Sequence, residues 1–411
     1  MTNRRTFMHQ LMGSAAWVAA PGLFSPGRVL GANDRIRIGL IGAGSRGKEI
    51  FRAALRCPQV EAAGAADVYT RRLDEAKAIA PAIKTYRDFR QLLEDKSLDA
   101  LLIATPQHQH ALNFVPAIQA GKDVYQEKTM AFNPDHARRM RKAFEGSGRV
   151  VQIGMQMNSG AGLRQAQELA TPERLGAITA IQAFHYRNAP YGGWLREIPP
   201  DCDPEHVDWP AFEGEANRQP FDPQRYMNWR FYWDYSGGNV FENMVHQLGF
   251  WYKALGLSIP ESVTMAGANY RCPRMELPDT MSVSMNHREK LLFTWNSMFG
   301  NAYYGEGYDY LFGAKGTVTH DESDQVRYLP PGTKPAGGAA ETAGPSAPAR
   351  AGYSDYTLQH LQNFFDCIRS RKEPICPFDL GFRTAIACQM AITSCRQQRA
   401  VHWDPQTEEI V

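Results

Sequence analysis

Strong charge of one sign is missing from this 411-residue chain: 45 Lys and Arg stand against 43 Asp and Glu, a formal net charge of +2 at pH 7. A balance that close gathers neither nucleic acid nor an anionic membrane surface, and it suits a small neutral ligand. Paired cysteines are missing too. The seven thiols, Cys57, Cys202, Cys272, Cys367, Cys376, Cys388 and Cys395, include no C-x-x-C spacing and form an odd total. Neither a zinc module nor a disulfide framework is written there, which leaves buried thiols. No stable membrane span is expected, because no unbroken apolar run reaches the roughly 20 residues that one needs. No internal repeat is visible, so stacked-repeat architectures are set aside.

What is present is length enough for two packed domains behind a targeting segment. Residues 1–32 run from Asn3-Arg4-Arg5-Thr6-Phe7-Met8 through an apolar stretch, Leu11 to Phe24, to the small residues around Leu30-Gly31-Ala32. That order of charge, apolar run and small residues resembles a twin-arginine export signal. It implies passage through the twin-arginine export machinery to the periplasm or another extracytoplasmic space, as a protein folded around its cofactor.

From Arg35 short apolar runs alternate with amphipathic stretches, the pattern of parallel βαβ units. Strands are predicted at Arg35–Ile41, Val60–Ala66, Ala100–Ala104, Asp123–Gln126 and Val150–Gly154, with helices between them. After Met157 the pattern changes to alternating apolar and polar residues at Ile178–Tyr186, Val263–Tyr270, Met281–Asn286, Leu291–Asn296 and Tyr308–Phe312. Such alternation predicts an antiparallel sheet with one covered face. The expected fold class is α/β: a doubly wound parallel sheet over residues 34–156, then an α+β substrate domain over 157–411 with a large, mostly antiparallel sheet. Residues 330–352, rich in Pro, Gly and Ala, read as a flexible surface loop. Helical periodicity returns at Asp355–Arg369 and Gly381–Gln397, and the last helix is a candidate to pack back on the first domain.

The first chemical signal is Gly42-Ala43-Gly44-Ser45-Arg46-Gly47, between the first strand and the first helix. In that context the glycines allow a tight turn, close approach of a pyrophosphate, and helix-on-strand packing, which is the Rossmann dinucleotide fingerprint. Asp67 stands 20 residues beyond Gly47 at the end of the second strand, placed to bond ribose hydroxyls and favour NAD(H) over NADP(H). Arg71 and Arg72 beside it pull the other way. Thr105-Pro106-Gln107-His108-Gln109-His110 follows the buried strand, where ligands of open α/β sheets sit, so Thr105, Pro106, His108 and His110 are cofactor candidates. No metal site is read from the two histidines. Glu127 and Lys128 follow the next strand and are cofactor candidates too, and the lysine can bond a substrate hydroxyl or its carbonyl product.

At these motifs the chain resembles the Gfo/Idh/MocA oxidoreductases, the glucose-fructose oxidoreductase and inositol dehydrogenase superfamily. The match runs from RIRIGLIGAGSRG through ATPQHQHA and AIQAGKDVYQEKT to PFDLGFRTAIACQMAITSCRQQRAVHWD. The resemblance implies that Lys128 is a catalytic residue at the nicotinamide. The family's usual proline after it is Thr129 here, a change expected to alter the bend. A second family motif, an acid four residues before a histidine after paired glycines, matches Gly237 to His246. On a helix Glu242 and His246 share one face, so His246 is the expected base and Glu242 the residue that orients it or acts as an acid. The common family residue at the first position is aspartate.

Tyr186, Arg187, Trp229, Arg230 and Tyr232 lie in aromatic stretches that suit a sugar or a domain interface equally. Together these readings predict an NAD(H)-dependent oxidoreductase of a sugar, glycoside or polyol hydroxyl, with a tightly held cofactor and a homo-oligomeric state. Two alternatives stay open: an NAD-dependent glycoside hydrolase working by transient oxidation, elimination and re-reduction, with a tyrosine as its extra base, and a non-catalytic NAD sensor.

Overall fold

A computed structural model describes residues 35–302, 307–333 and 353–411. The export signal read at residues 1–32 and most of the 330–352 loop fall outside the described residues.

Six strands, β1 (Ile36–Ile41), β2 (Val60–Ala66), β3 (Lys84–Tyr86), β4 (Ala100–Ile103), β5 (Asp123–Glu127) and β6 (Val151–Gly154), form one parallel sheet in the order β3-β2-β1-β4-β5-β6. The chain winds outward from β1 on one side and from β4 on the other. The crevice beyond the carboxyl ends of these neighbours is therefore the switch point where such sheets take ligands. All four residues of β4 are fully buried, as a strand covered on both faces requires. Edge strand β3 has only three residues and an exposed lysine, too little pattern for the sequence to reveal it.

The second sheet has nine strands: β7 (Ile178–Tyr186), β8 (Ser262–Ala268), β9 (Thr280–His287), β10 (Leu291–Met298), β11 (Tyr308–Gly313), β12 (Gly316–Asp321), β13 (Val326–Leu329), β14 (Val401–Asp404) and β15 (Glu409–Ile410). Their order is β13-β12-β11-β7-β10-β9-β8-β14-β15, antiparallel throughout except for β7 beside β10. Alternation decides which way each residue faces. Ile181, Ala183, Phe293, Trp295, Val283 and Met285 are buried in the core with helices Val245–Leu255 and Phe378–Gln397. On the other face the rings of Phe184, Tyr186, Tyr308, Tyr310 and Phe312 lie against one another, partly exposed.

Helix Tyr353–Ser370 returns to the first domain and packs on helix Ser45–Ala54. Leu361, Phe364, Phe365 and Ile368 share one apolar core with Ile36, Ile38, Phe51 and Leu102. The sequence pointed to the last helix for this return; the penultimate helix carries most of it. The last helix, Phe378–Gln397, packs mainly on β8 and helix Val245–Leu255, and Gly381 sits close against Ile153 of β6.

Candidate functional site

The three glycines of the first turn differ in what surrounds them. Gly42 has φ +86°, and a Cβ there would lie 2.7 Å from the Thr105 amide nitrogen. A Cβ at Gly47 would fall 1.9 Å from the Gly42 carbonyl oxygen, so helix and turn touch through backbone alone. Gly44 faces open space, with nothing within 4 Å of where a Cβ would stand. It also begins helix Ser45–Ala54, whose start has no side-chain cap and no acidic residue in its first turn. An uncapped helix start behind an open glycine offers backbone N–H groups and positive dipole to an anion. That cradle fits a dinucleotide diphosphate. Gly42, Gly44, Ser45, Arg46, Asp67, Thr105 and Pro106 line one groove of about 760 Å³.

Asp67 lines this groove and also braces it. Its carboxylate accepts from the Ala43 amide at 2.6 Å and the Tyr69 amide at 2.9 Å. Burial pushes its pKa upward, against those two bonds. Arg71 is turned away to Asp201 at 2.6 Å, and Arg72, on the groove wall, pairs with Glu75 at 2.8 Å.

His108 and His110 line neither this groove nor the cavity beside it. The His108 ring bonds the Phe212 carbonyl at 2.7 Å and packs on Phe212 and Tyr235, and burial pushes its pKa down to about 3. His110 lies between the carbonyls of Thr129 (2.7 Å) and Thr105 (2.9 Å), and burial lowers its pKa as well. Both rings act behind the wall, one joining the two domains and the other joining two ligand-facing turns.

A second cavity of about 560 Å³ meets the groove at Arg46, Ala104, Thr105, Trp229 and Arg230. Lys128, just past β5, Glu242, in the turn that enters helix Val245–Leu255, and His246, in the first turn of that helix, converge on it. The Lys128 ammonium donates to Glu242 Oε2 at 2.7 Å and to the Glu242 carbonyl at 2.9 Å. Arg230 Nε lies 3.1 Å from Glu242 Oε1, which also accepts from the Gln107 amide at 2.7 Å. Burial alone would raise the Glu242 pKa, but the Arg230 and Lys128 charges hold it at about 2. Glu242 is therefore a fixed anion, and the expectation that it serves as an acid is corrected. The Lys128–Thr129 peptide is cis, and the Thr129 hydroxyl donates to the Phe241 carbonyl at 2.8 Å.

The expected Glu242 to His246 hydrogen bond is absent as well. Residues Val240–Met244 form a π-helical turn, and both carboxylate oxygens are taken by cations and an amide. His246 Nδ1 is buried without a partner. Burial, then the charges of Lys128 and Arg46, hold the ring well below the usual histidine range, so it is neutral.

Local backbone geometry sorts the remaining candidates. Arg187, Trp229 and Arg230 line the cavity, with the Arg230 guanidinium 4.2 Å from the centre of the Trp229 ring. Tyr186 points to the opposite face of β7 and stacks on Phe184; Tyr232 lies under the Arg225 guanidinium, off the cavity wall. Phe231 and Tyr235 are fully buried, so the aromatic stretch serves both domain packing and the cavity.

Two histidines on the cavity wall were missed. His185, on the face of β7 shared with Ile181 and Ala183, lines the cavity with a buried Nδ1 that has no partner. Period-two counting from the apolar residues of that strand would have found it. The other is His320, held between Asp309 (3.4 Å) and Asp324 (3.1 Å) and stacked on Phe250 at 4.0 Å. Burial opposes its charge, yet the two carboxylates raise its pKa to about 9. Asp309 also accepts from Trp251 Nε1 at 2.9 Å and from Gln247, and Asp324 from the Gly162 amide at 3.0 Å. His320 and Asp324 are four residues apart, but Asp309 reaches them from the paired strand, and no local sequence signal marks the three as one cluster.

Two family models match the chain: "Oxidoreductase family, NAD-binding Rossmann fold" over residues 36–155, and the family's C-terminal alpha/beta domain over 211–402. Among curated proteins, the chain is 24% identical over 293 residues to an uncharacterized oxidoreductase of Streptococcus pneumoniae, covering 70% of this chain and 68% of that one. It is 33% identical over 123 residues to a glycosyl hydrolase family 109 protein of Stenotrophomonas maltophilia, covering 27% of each. The WlbA dehydrogenase of Bordetella pertussis, solved with NADH and UDP-GlcNAcA, shares the fold at TM-score 0.69 and 20% identity, over 90% of this chain and 99% of that one.

Proposed function

Because the chain belongs to the Gfo/Idh/MocA oxidoreductase family and its first domain is that family's NAD-binding unit, we propose that it oxidises or reduces a secondary hydroxyl of a sugar, glycoside or polyol. The observation that carries this reading is a neutral histidine and a paired lysine on one cavity, directly beside the cofactor groove. NAD, when bound, supplies the hydride acceptor or donor. His246 takes the hydroxyl proton, and Lys128 places positive charge where the oxygen becomes negative. Arg187, Trp229, Trp194 and Arg230 give the cavity apolar faces with polar donors between them, the surface that a polyhydroxylated ring matches. Relatives that bind a nucleotide sugar or hydrolyse glycosides are in keeping with a carbohydrate. A screen of sugars, glycosides and polyols tests this through the absorbance of reduced nicotinamide. A protein that binds NAD but reduces it with none of them would be a sensor instead.

The reading extends to place and assembly. The charge, apolar run and small residues of segment 1–32 support twin-arginine export to the periplasm. Free NAD is scarce there, which favours a cofactor retained through turnover; nucleotide absorbance that survives gel filtration tests it. Changing Arg4 and Arg5 together to Lys is expected to leave the protein in the cytoplasm. The partly exposed rings on the outer face of the nine-stranded sheet support a homo-oligomer, to be checked by light scattering. The second reading, an NAD-dependent glycoside hydrolase, is favoured by the family 109 relative. Release of nitrophenol from nitrophenyl glycosides without added NAD distinguishes it.

A further inference from the structure

The first domain builds the floor of the cofactor groove, and a segment of the second domain, Asp201–Glu215, runs along the same groove and is fastened to the first domain at three places. The first is the end of β2, where Asp67 marks the adenosine end of the floor. There Val207 forms an antiparallel bridge with Tyr69, the Thr70 amide donates to the His206 carbonyl at 3.1 Å, and the Asp208 amide donates to the Val68 carbonyl at 2.9 Å. The Asp201 carboxylate accepts from the Tyr69 hydroxyl at 2.7 Å and from Arg71 through Nε at 2.9 Å and Nη2 at 2.6 Å. Tyr69, Cys202 and Val207 are buried together, with Tyr226 and Met227 packed against them. The second place follows β4: the Phe212 carbonyl accepts from the His108 ring at 2.7 Å, and the Ala211 carbonyl from the Gln109 side chain at 3.0 Å. The third is helix Pro134–Phe144, where Arg139 pairs with Glu215 at 2.8 Å.

Between these anchors Pro210, Ala211, Phe212 and Gly214 line the groove together with Gly44, Asp67 and Thr105 of the floor. A ligand enclosed by two walls that are joined at both ends leaves only when one end opens, so the opening sets its release rate. We propose that segment Asp201–Glu215, with Tyr226, is a strap over the adenosine half of NAD, and that the Asp201 anchor governs how fast the cofactor leaves. The proposal rests on the retained-cofactor reading above and gives that reading a structural cause. Asp67 offers the ribose an acceptor from the floor. Tyr226 offers a donor from the facing wall, because burial and the Asp67 charge raise its pKa well above the usual tyrosine range and keep the hydroxyl protonated. Neither Asp201 nor Arg71 lines the groove, so breaking their pair loosens the strap and leaves the ligand-facing groups in place.

Release is measured without any substrate. Protein saturated with NAD is mixed with an excess of isotopically labelled NAD, and the label that becomes bound is followed by mass spectrometry after gel filtration. Asp201→Ala removes three hydrogen bonds to a charged group and is expected to exchange its cofactor at least about 10-fold faster than wild type. Arg71→Gln breaks the same anchor from the other side and serves if Asp201→Ala does not fold. Deuterium uptake into backbone amides, read alongside, should rise in residues 201–215 and stay unchanged in β1. A folded variant that keeps its cofactor as long as wild type overturns the strap while the retained cofactor stands. Faster exchange with uptake raised equally in β1 is general loosening, and it overturns the strap as well. Wild-type exchange complete within seconds overturns the retained-cofactor reading itself, and the strap with it.

Discussion

Two charge clusters on the cavity walls are built alike with the signs reversed. Around Glu242 one carboxylate lies between two cations, Lys128 and Arg230; around His320 one imidazole lies between two carboxylates, Asp309 and Asp324. Each centre is held in its charged form against burial, Glu242 at about 2 and His320 at about 9. The surroundings separate their uses. The His320 cluster is closed on the protein: Trp251 and Gln247 satisfy Asp309, and a helix amide satisfies Asp324. It ties helices Ala161–Leu169 and Val245–Leu255 to the sheet. The Glu242 cluster keeps an excess of positive charge on the wall that meets the cofactor groove. The excess has opposite sign in the two: negative at His320, where protein donors take it up, and positive at Glu242, where it faces the side on which a reacting oxygen would gain charge.

The widest separation is expected in catalysis. Lys128→Met or His246→Asn should each lower kcat/KM by about 100- to 10,000-fold, with NAD binding retained, whereas His320→Asn should act chiefly on stability. A kcat/KM loss at His320 as large as that at Lys128 would erase the distinction. Next comes Glu242→Gln, which leaves two cations facing each other. Removing one partner of a buried pair costs about 3–5 kcal/mol, measurable by urea unfolding. The pH dependence then sets the clusters apart. The Glu242 pKa is depressed on folding, so its contribution is present above about pH 4.5 and declines as pH falls toward about 2. The His320 pKa is raised, so its contribution is full below about pH 6.5 and is lost as pH rises through about 9. The stability difference between wild type and His320→Asn should therefore shrink on the alkaline side, and a difference that grows there would contradict the assignment. The smallest effect is assigned to Tyr186→Phe, outside both clusters, where kcat/KM should stay within about 2-fold of wild type.

The glycine turn was legible because its three roles are filled by neighbours in sequence, within six residues of one strand–turn–helix. Most strands of both sheets were legible for the same reason: their periodicity is local. What escaped was short or assembled at a distance. Edge strand β3 and the closing strands β12 to β15 carry little pattern, and the His320 cluster joins β11, β12 and the loop beyond β12. Residue type favours Tyr186 as a sugar contact, whereas strand parity turns His185 toward the cavity and Tyr186 away from it. Glu242 and His246 were expected to pair on helical spacing alone, which cannot show that Lys128 and Arg230 reach the carboxylate first.

Helix Tyr353–Ser370 carries a consequence for how the chain matures. Its apolar side chains complete the core beneath β1 and the glycine turn, yet more than 300 residues separate them from that strand. A ribosome must deliver nearly the whole polypeptide before the dinucleotide unit can close. An N-terminal fragment ending near residue 156 would bare the surface that Phe364 and Phe365 cover, and should be recovered as aggregate, not as a minimal nucleotide-binding module.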